Sequence, residues 1–306
     1  MRTTRRALMG AALAAACVGP AVAQAAKTPL PDGMVGEFHP AAGGRRTAAV
    51  LVLGGSEGGV AGSAPLARLL SEHGFNALAL AYFGAPGLPA TLQNIPLEYF
   101  RRAVDWLAAQ PSVDPRRIGV LGGSKGAEAA LLIASRDRRL RAVVAGAPSS
   151  IAWSGINPAD FAHAGPSWTA GGAAVACATY DMGAPFNGVL DFYTRSLAKA
   201  PAAATILVEK IHGPVLLVSG REDQLWPSTL MAEAIMVRLD AARFAYPHRH
   251  LAYDHAGHPV LGPPPPANSP NLARLASLGG TVEGNVAARV DAWPKALQFL
   301  DEALKA

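Results

Sequence analysis

Short apolar, β-branched runs alternate with amphipathic helical patterns along most of this 306-residue chain. That alternation confines it to folds in which a mostly parallel sheet is covered by helices on both faces. "TAAVLVL" (Thr47–Leu53) reads as a buried strand, and "SAPLARLLSEHG" follows as a helix. Ser63 is its predicted N-cap, Pro65 lies in the first turn, Leu66, Leu69 and Leu70 form the stripe, and Gly74 ends it. "NALALAY" is the next strand, and "LEYFRRAVDWLAAQP" a helix presenting Leu97, Phe100, Val104 and Leu107 on one face. The same reading gives strands in "RIGVLGG", "RAVVAGAP" and "PVLLVSG", and a strand followed by a loop in "HLAYDHAGH". It gives helices in "KGAEAALLIAS", "STLMAEAIMVRLD" and "NVAARVDAWPKALQFLDEAL". Residues 149–205, rich in Gly, Ala and Ser, break the alternation and read as an insertion or lid over one edge of the sheet. Pro263–Pro266 reads as a stiff extended loop.

The N-terminus "MRTTRRALMGAALAAACVGPAVAQAA" has a basic head, an apolar run and a small-x-small end at Ala21-Val22-Ala23. Residues 1–23 therefore read as a cleaved export signal, followed by a short segment at 24–46 and one large domain at 47–306. Arg5-Arg6 resembles a twin-arginine signal and predicts a periplasmic product. Translation from Met34 would instead give a cytoplasmic one, and a lipoprotein signal at Cys17 is a further alternative. No later run is long enough to span a membrane. Three of the 27 basic residues, Arg2, Arg5 and Arg6, fall in a signal that holds no acid, so the remainder is close to neutral. Nothing in that balance suggests a nucleic-acid partner. With Cys17 removed, Cys177 is the single cysteine; no intramolecular disulfide or Cys-pair metal site is possible, and it reads as structural.

Within the alternation lies Gly122-Gly123-Ser124-Lys125-Gly126, between a strand and a helix. This is the G-x-S-x-G pattern in the setting of a nucleophile elbow. Such a turn brings helix and strand so close that the residues two before and two after the serine must be small, and both are glycine here. The serine hydroxyl stands clear of the sheet, and the following backbone N–H, on Lys125, lies at a helix N-terminus where it can stabilise an oxyanion. The Lys125 side chain reads as a solvated surface charge and Glu128 as structural. An idle serine on a glycine-rich turn is the alternative.

A serine hydroxyl needs a base, and the base an orienting acid. In α/β-hydrolases these follow in the order Ser, Asp or Glu, His. "PVLLVSGREDQLWP" supplies Asp223, with Glu222 as the alternative acid, and "YDHAGHP" supplies His258, with His255 as the alternative base. Asp254, His255 and His258 also allow a metal reading, which no further ligand cluster supports, so no metal is expected. His39, His73, His163, His212, His248 and His250 read as surface or satisfied core residues. A second oxyanion donor is expected from "LGGSEGG" (Leu53–Gly59), at the Glu57 amide with Ser56 as neighbour. That loop lacks the pattern of a phosphate-binding loop and no cofactor is expected.

The chain resembles the C-terminal catalytic domain of the acyl-CoA thioesterase / bile acid-CoA:amino acid N-acyltransferase family. The matching words include "HGFNALALAYFGAPGLPATLQNIPLEYFRRAVDWL", "GVLGGSKGAEAALLIAS", "LLVSGREDQLWPS", "AGHPVLGPP" and "ARVDAWPKALQFL". The resemblance implies an α/β-hydrolase fold and a triad of Ser124, Asp223 and His258. The family's aminoacyl-transferring members carry cysteine at the nucleophile, so serine here favours hydrolysis. Two departures are visible. Residues 24–46 are too few for the β-rich domain of longer members, and an exported protein would meet little coenzyme A.

The expectation is a serine hydrolase of an acyl ester or thioester, acting on a small molecule. An acyltransferase on the same fold and a non-catalytic binding protein are the alternatives. Arg45, Arg46, Arg101 and Arg102 are read as a solvated face, with contact to an anionic leaving group as the alternative.

Overall fold

The structure is a computed structural model and describes residues 30–305 apart from 32, 44 and 45. The predicted export signal, Cys17 and Arg45 lie outside the described residues.

The chain runs β1 (Val35–His39), β2 (Thr47–Leu53), α1 (Ala64–Glu72), β3 (Asn76–Ala81), β4 (Ile95–Pro96) and α2 (Leu97–Ala109). It continues with β5 (Val113–Gly123), α3 (Lys125–Ala134), β6 (Leu140–Gly146), β7 (Trp168–Ala170), β8 (Ala173–Ala174) and α4 (Val189–Ala198). β9 (Val215–Gly220), α5 (Ser228–Ala241), β10 (His248–Tyr253) and α6 (Val282–Leu304) complete it. The main sheet has the order β1-β3-β2-β5-β6-β9-β10. β1 is antiparallel to β3, and the other pairings are parallel.

The apolar runs are near-continuous because both faces of the sheet are buried. Leu51 and Leu53 face one core with α2, α3 and α5, while Val50 and Val52 face the other with α1 and α6. Each fully buried aliphatic side chain stabilises the fold by roughly 1.5–3 kcal/mol. Leu97, Phe100, Val104 and Leu107 are all buried on the inner face of α2, as their spacing predicts.

Three local readings need correction. The sheet begins before residue 47: β1 pairs with β3 from Val35↔Ala81 to His39↔Ala77, so part of the predicted N-terminal segment is an edge strand. Its anchors are the buried Met34 and Phe38, too few to stand out as a run. Ser63 adopts a helical conformation and its hydroxyl donates to the Val60 carbonyl instead of capping α1. α6 starts at Val282, where the Thr281 hydroxyl caps it by accepting from the Gly284 N–H, and it continues through Pro294.

Residues 149–205 hold β7, β8, α4 and several isolated bridges, and β7 pairs with β4 in a small separate sheet. Trp153, Tyr180, Phe192 and Tyr193 of this stretch form an aromatic core with Trp226 and Met231. All six parallel strands end on the same side, so the loops after β2, β5, β9 and β10 converge there, where open α/β sheets bind ligands.

Candidate active site

Ser124 joins β5 to α3 with φ 55° and ψ −125°. A non-glycine residue held there stores strain of about 1–3 kcal/mol, and such outliers cluster at functional sites. The glycines explain how the turn closes. A Cβ at Gly122 would overlap the Gly126 carbonyl, and one at Gly126 would overlap the carbonyls of Leu53 and Gly54. A Cβ at Gly123 would meet nothing. The Ser124 N–H is fixed by the Gly146 carbonyl at 2.8 Å.

The acid loop after β9 and the histidine loop after β10 meet at Asp223 and His258. Asp223 Oδ2 lies 2.8 Å from His258 Nδ1. Asp223 also accepts from the N–H groups of Leu225 (2.9 Å) and Trp226 (3.2 Å) and from the Ser228 hydroxyl (2.6 Å). With Asp223 accepting, Nδ1 carries the proton and Nε2 presents a lone pair. Nε2 is buried and has no hydrogen-bond partner among the described residues. A buried polar atom left free in this way calls for a functional account.

The alternatives at the same loops point elsewhere. His255 Nδ1 pairs with Glu222 at 2.8 Å on the surface, and Asp254 pairs with Arg221 at 3.0 Å. Asp254, His255 and His258 thus serve three different partners, and no metal-holding group of three ligands occurs among the described residues.

A support for the histidine loop escapes sequence reasoning. Asn285, fully buried on α6, accepts from the Gly257 N–H (2.9 Å) and donates to the carbonyls of Gly279 (3.0 Å) and Thr281 (2.7 Å). Gly279 bridges to Asp223 and Gly280 to Ala256, so one short segment holds both acid and base loops. The Gly279-Gly280 pair next to a helix N-cap is the signal that was there to be read.

Lys125 corrects its reading as a solvated charge. It is 2% exposed, and Nζ donates to Glu128 Oε2 at 2.6 Å and to the Ser167 hydroxyl at 2.8 Å. Glu128, spaced one turn away and fully buried, supplies the partner, and the buried Trp168 ring lies over Lys125 Nζ with its centroid 5.4 Å away. Burial lowers the Lys125 pKa and Glu128 opposes that shift.

In the loop after β2, the Glu57 carboxylate turns back and accepts from the Gly55 N–H at 2.9 Å. A side chain at Gly54, Gly55 or Gly62 would run into it. The fully buried Tyr82 phenol donates to the carbonyls of Gly54 (2.7 Å) and Gly55 (3.2 Å). Burial first, then Glu57 and Glu128, push its pKa well above the usual value. Ser124, Lys125 and Ser56 border a cavity of about 330 Å³. Its other walls are apolar and aromatic, with Phe161, Phe186, Phe192, Tyr193, Leu225 and Trp226 prominent. Trp226 also sets its edge against the His258 ring, centroids 5.8 Å apart. A groove of about 400 Å³ between α2 and the end of α3 contains none of these groups.

Residues 95–306 match the family model described as BAAT / Acyl-CoA thioester hydrolase C terminal. The chain belongs to this family. The match takes in Ser124, Asp223 and His258 but not the loop after β2. The chain is 31% identical over 248 residues to the peroxisomal succinyl-coenzyme A thioesterase of Mus musculus, covering 78% of this chain and 56% of that protein. It is 33% identical over 245 residues to acyl-coenzyme A amino acid N-acyltransferase 1 of Mus musculus, with the same coverage. The chain thus spans about half the length of the curated relatives it matches. Among solved structures, the Pyrococcus horikoshii acylaminoacyl peptidase superposes with a TM-score of 0.58 at 13% identity, covering 89% of this chain and 40% of that one. The fold is that of the α/β-hydrolases.

Proposed function

We propose that this family member is a serine hydrolase that cleaves an acyl ester or thioester through an acyl-enzyme. The observation that carries the reading is the strained Ser124 at the mouth of an apolar cavity, on the same sheet edge as a buried Asp223–His258 pair with a free Nε2. Ser124 attacks the acyl carbonyl as His258 Nε2 takes its proton. His258 then returns the proton to the leaving group. Asp223 holds the imidazole tautomer and stabilises the imidazolium. The backbone amides of Lys125 and Glu57 receive the oxyanion, each contributing ~3 kcal/mol to the transition state. Water then releases the acid and restores Ser124.

The aromatic cavity suits an uncharged acyl group. A cavity of about 150 Å³ accepts one benzene ring, so the volume here takes a medium-length chain or a substituted ring. Residues 149–205 act as the lid that supplies most of its walls.

Incubation with a fluorophosphonate, followed by peptide mass spectrometry, tests the reading directly. Labelling of Ser124 supports it; an unlabelled, folded protein overturns it. Asp223→Asn should lower kcat on an acyl nitrophenyl ester by about 10⁴-fold, because the amide favours the wrong tautomer. Glu222→Gln should leave it within about twofold, since it breaks only an exposed pair.

The N-acyltransferase relative supports a second reading, transfer to an amine or alcohol. An added acceptor would then divert product from the free acid. Export through the twin-arginine-like segment is part of the proposal and points to a leaving group other than coenzyme A. Arg5→Lys with Arg6→Lys should retain the protein in the cytoplasm of a bacterial host, as read by cell fractionation.

A further inference from the structure

The residue after the nucleophile carries a buried cation, and its connections lead to the acyl cavity. Lys125 Nζ donates to Ser167, the Ser167 hydroxyl donates to the Ser154 carbonyl at 3.0 Å, and the same carbonyl accepts from the Tyr180 hydroxyl at 3.1 Å. Glu128 Oε1 accepts from the Trp153 N–H at 3.0 Å and from Trp168 Nε1 at 2.7 Å. Trp153 lies parallel to Tyr180, centroids 6.1 Å apart, and meets Tyr193 edge-on at 5.1 Å. Tyr180 stacks on Phe161 (4.4 Å) and Phe192 (5.4 Å). Phe161, Phe192 and Tyr193 are themselves cavity walls, as is Lys125.

We infer that the Lys125–Glu128 ion pair is a positioning device that fixes the acyl wall relative to the nucleophile and so sets acyl-length selectivity. The inference rests on the hydrolase reading above and adds a determinant of its specificity. Its physical basis is directional. Two charges removed from water gain little net stability over apolar residues of the same size, but they demand particular partners in particular places. Here those partners are a hydroxyl, a backbone N–H and an indole N–H, all on the 149–170 stretch. Apolar packing alone tolerates sliding of this stretch on α3; the hydrogen bonds do not.

A purely structural tie would change the amount of active protein and scale all substrates equally. The ratio of kcat/KM for nitrophenyl dodecanoate to that for nitrophenyl butanoate is insensitive to that amount. Active sites are counted by fluorophosphonate titration in wild type, the double variant Lys125→Met/Glu128→Gln, Trp168→Phe and Ser167→Ala. The double variant removes both charges without stranding either. It should lose about tenfold more activity on the dodecanoate than on the butanoate, the scale on which pocket contacts discriminate acyl groups. Trp168→Phe, which keeps the ring and loses the indole donor, should shift the ratio in the same direction by a smaller factor. If the double variant does not fold, Trp168→Phe and Ser167→Ala decide the matter. Ratios equal to wild type in every folded variant overturn the inference while leaving the hydrolase intact. A wild type that neither labels nor cleaves either ester overturns the hydrolase reading, and this inference with it.

Discussion

Ser124→Ala should lower kcat on an acyl nitrophenyl ester by about 10⁵-fold or more, the loss seen when a triad serine is removed. Ser124 Oγ makes no hydrogen bond among the described residues, so its removal should leave stability within about 0.5 kcal/mol of wild type. The residual rate would come from the oxyanion donors and substrate binding, which the substitution leaves in place. His258→Ala added to Ser124→Ala should cost almost nothing further, because in the proposed mechanism the two groups act as one unit. Ser124→Gly separates strain from chemistry. At φ 55° a glycine pays no Cβ penalty, so Ser124→Gly should be about 1 kcal/mol more stable than Ser124→Ala and equally inactive. Urea melts and initial rates on wild type and the three variants check all of this. Wild-type rates in Ser124→Ala would remove the nucleophile from the mechanism.

A large stability effect is expected at Gly126. A methyl there would meet the carbonyls of Leu53 and Gly54, backbone atoms of β2 and the loop after it. Neither can move without separating α3 from the sheet beneath it. Gly126→Ala should therefore cost about 4 kcal/mol or more, in the range that marks a specific steric mechanism. Much of the protein should be insoluble when expressed. Gly123→Ala is the control: its new methyl meets nothing within contact distance. It should stay within about 0.5 kcal/mol of wild type. Soluble yield and midpoint of urea unfolding for the two variants give the comparison. Equal tolerance at both positions would mean that the turn does not press helix on strand as described.

Much of the main sheet was legible because its strands are buried on both faces. Val50, Leu51 and Val52 leave no room for another reading, and glycines or prolines punctuate the ends of most runs. The edge strand Val35–His39 was not legible, since an edge needs few apolar anchors and Val35, Gly36 and Glu37 are only partly buried. Asp223 and Glu222 are neighbours in the sequence, yet their side chains face opposite environments: one is buried against His258, the other exposed against His255. Lys125 was misread because a helix-terminal lysine has no local reason to be buried. Its reason lies in Ser167 and Trp168, some forty residues on. The inward turn of Glu57 and the hold of Asn285 on the histidine loop escaped for the same cause: each depends on partners that only folding brings near.

What the amino-acid order determined by itself was the class of fold, the elbow and the types of side chain on each loop, because these follow from periodicity and from glycines needed at fixed offsets. Which acid faces which histidine, where the lysine charge goes and what shapes the aromatic cavity were decided only in three dimensions. Burial, unlike periodicity, is a property of neighbours that lie far apart along the chain, and it is burial that separates an ion pair inside the protein from the same two residues in water.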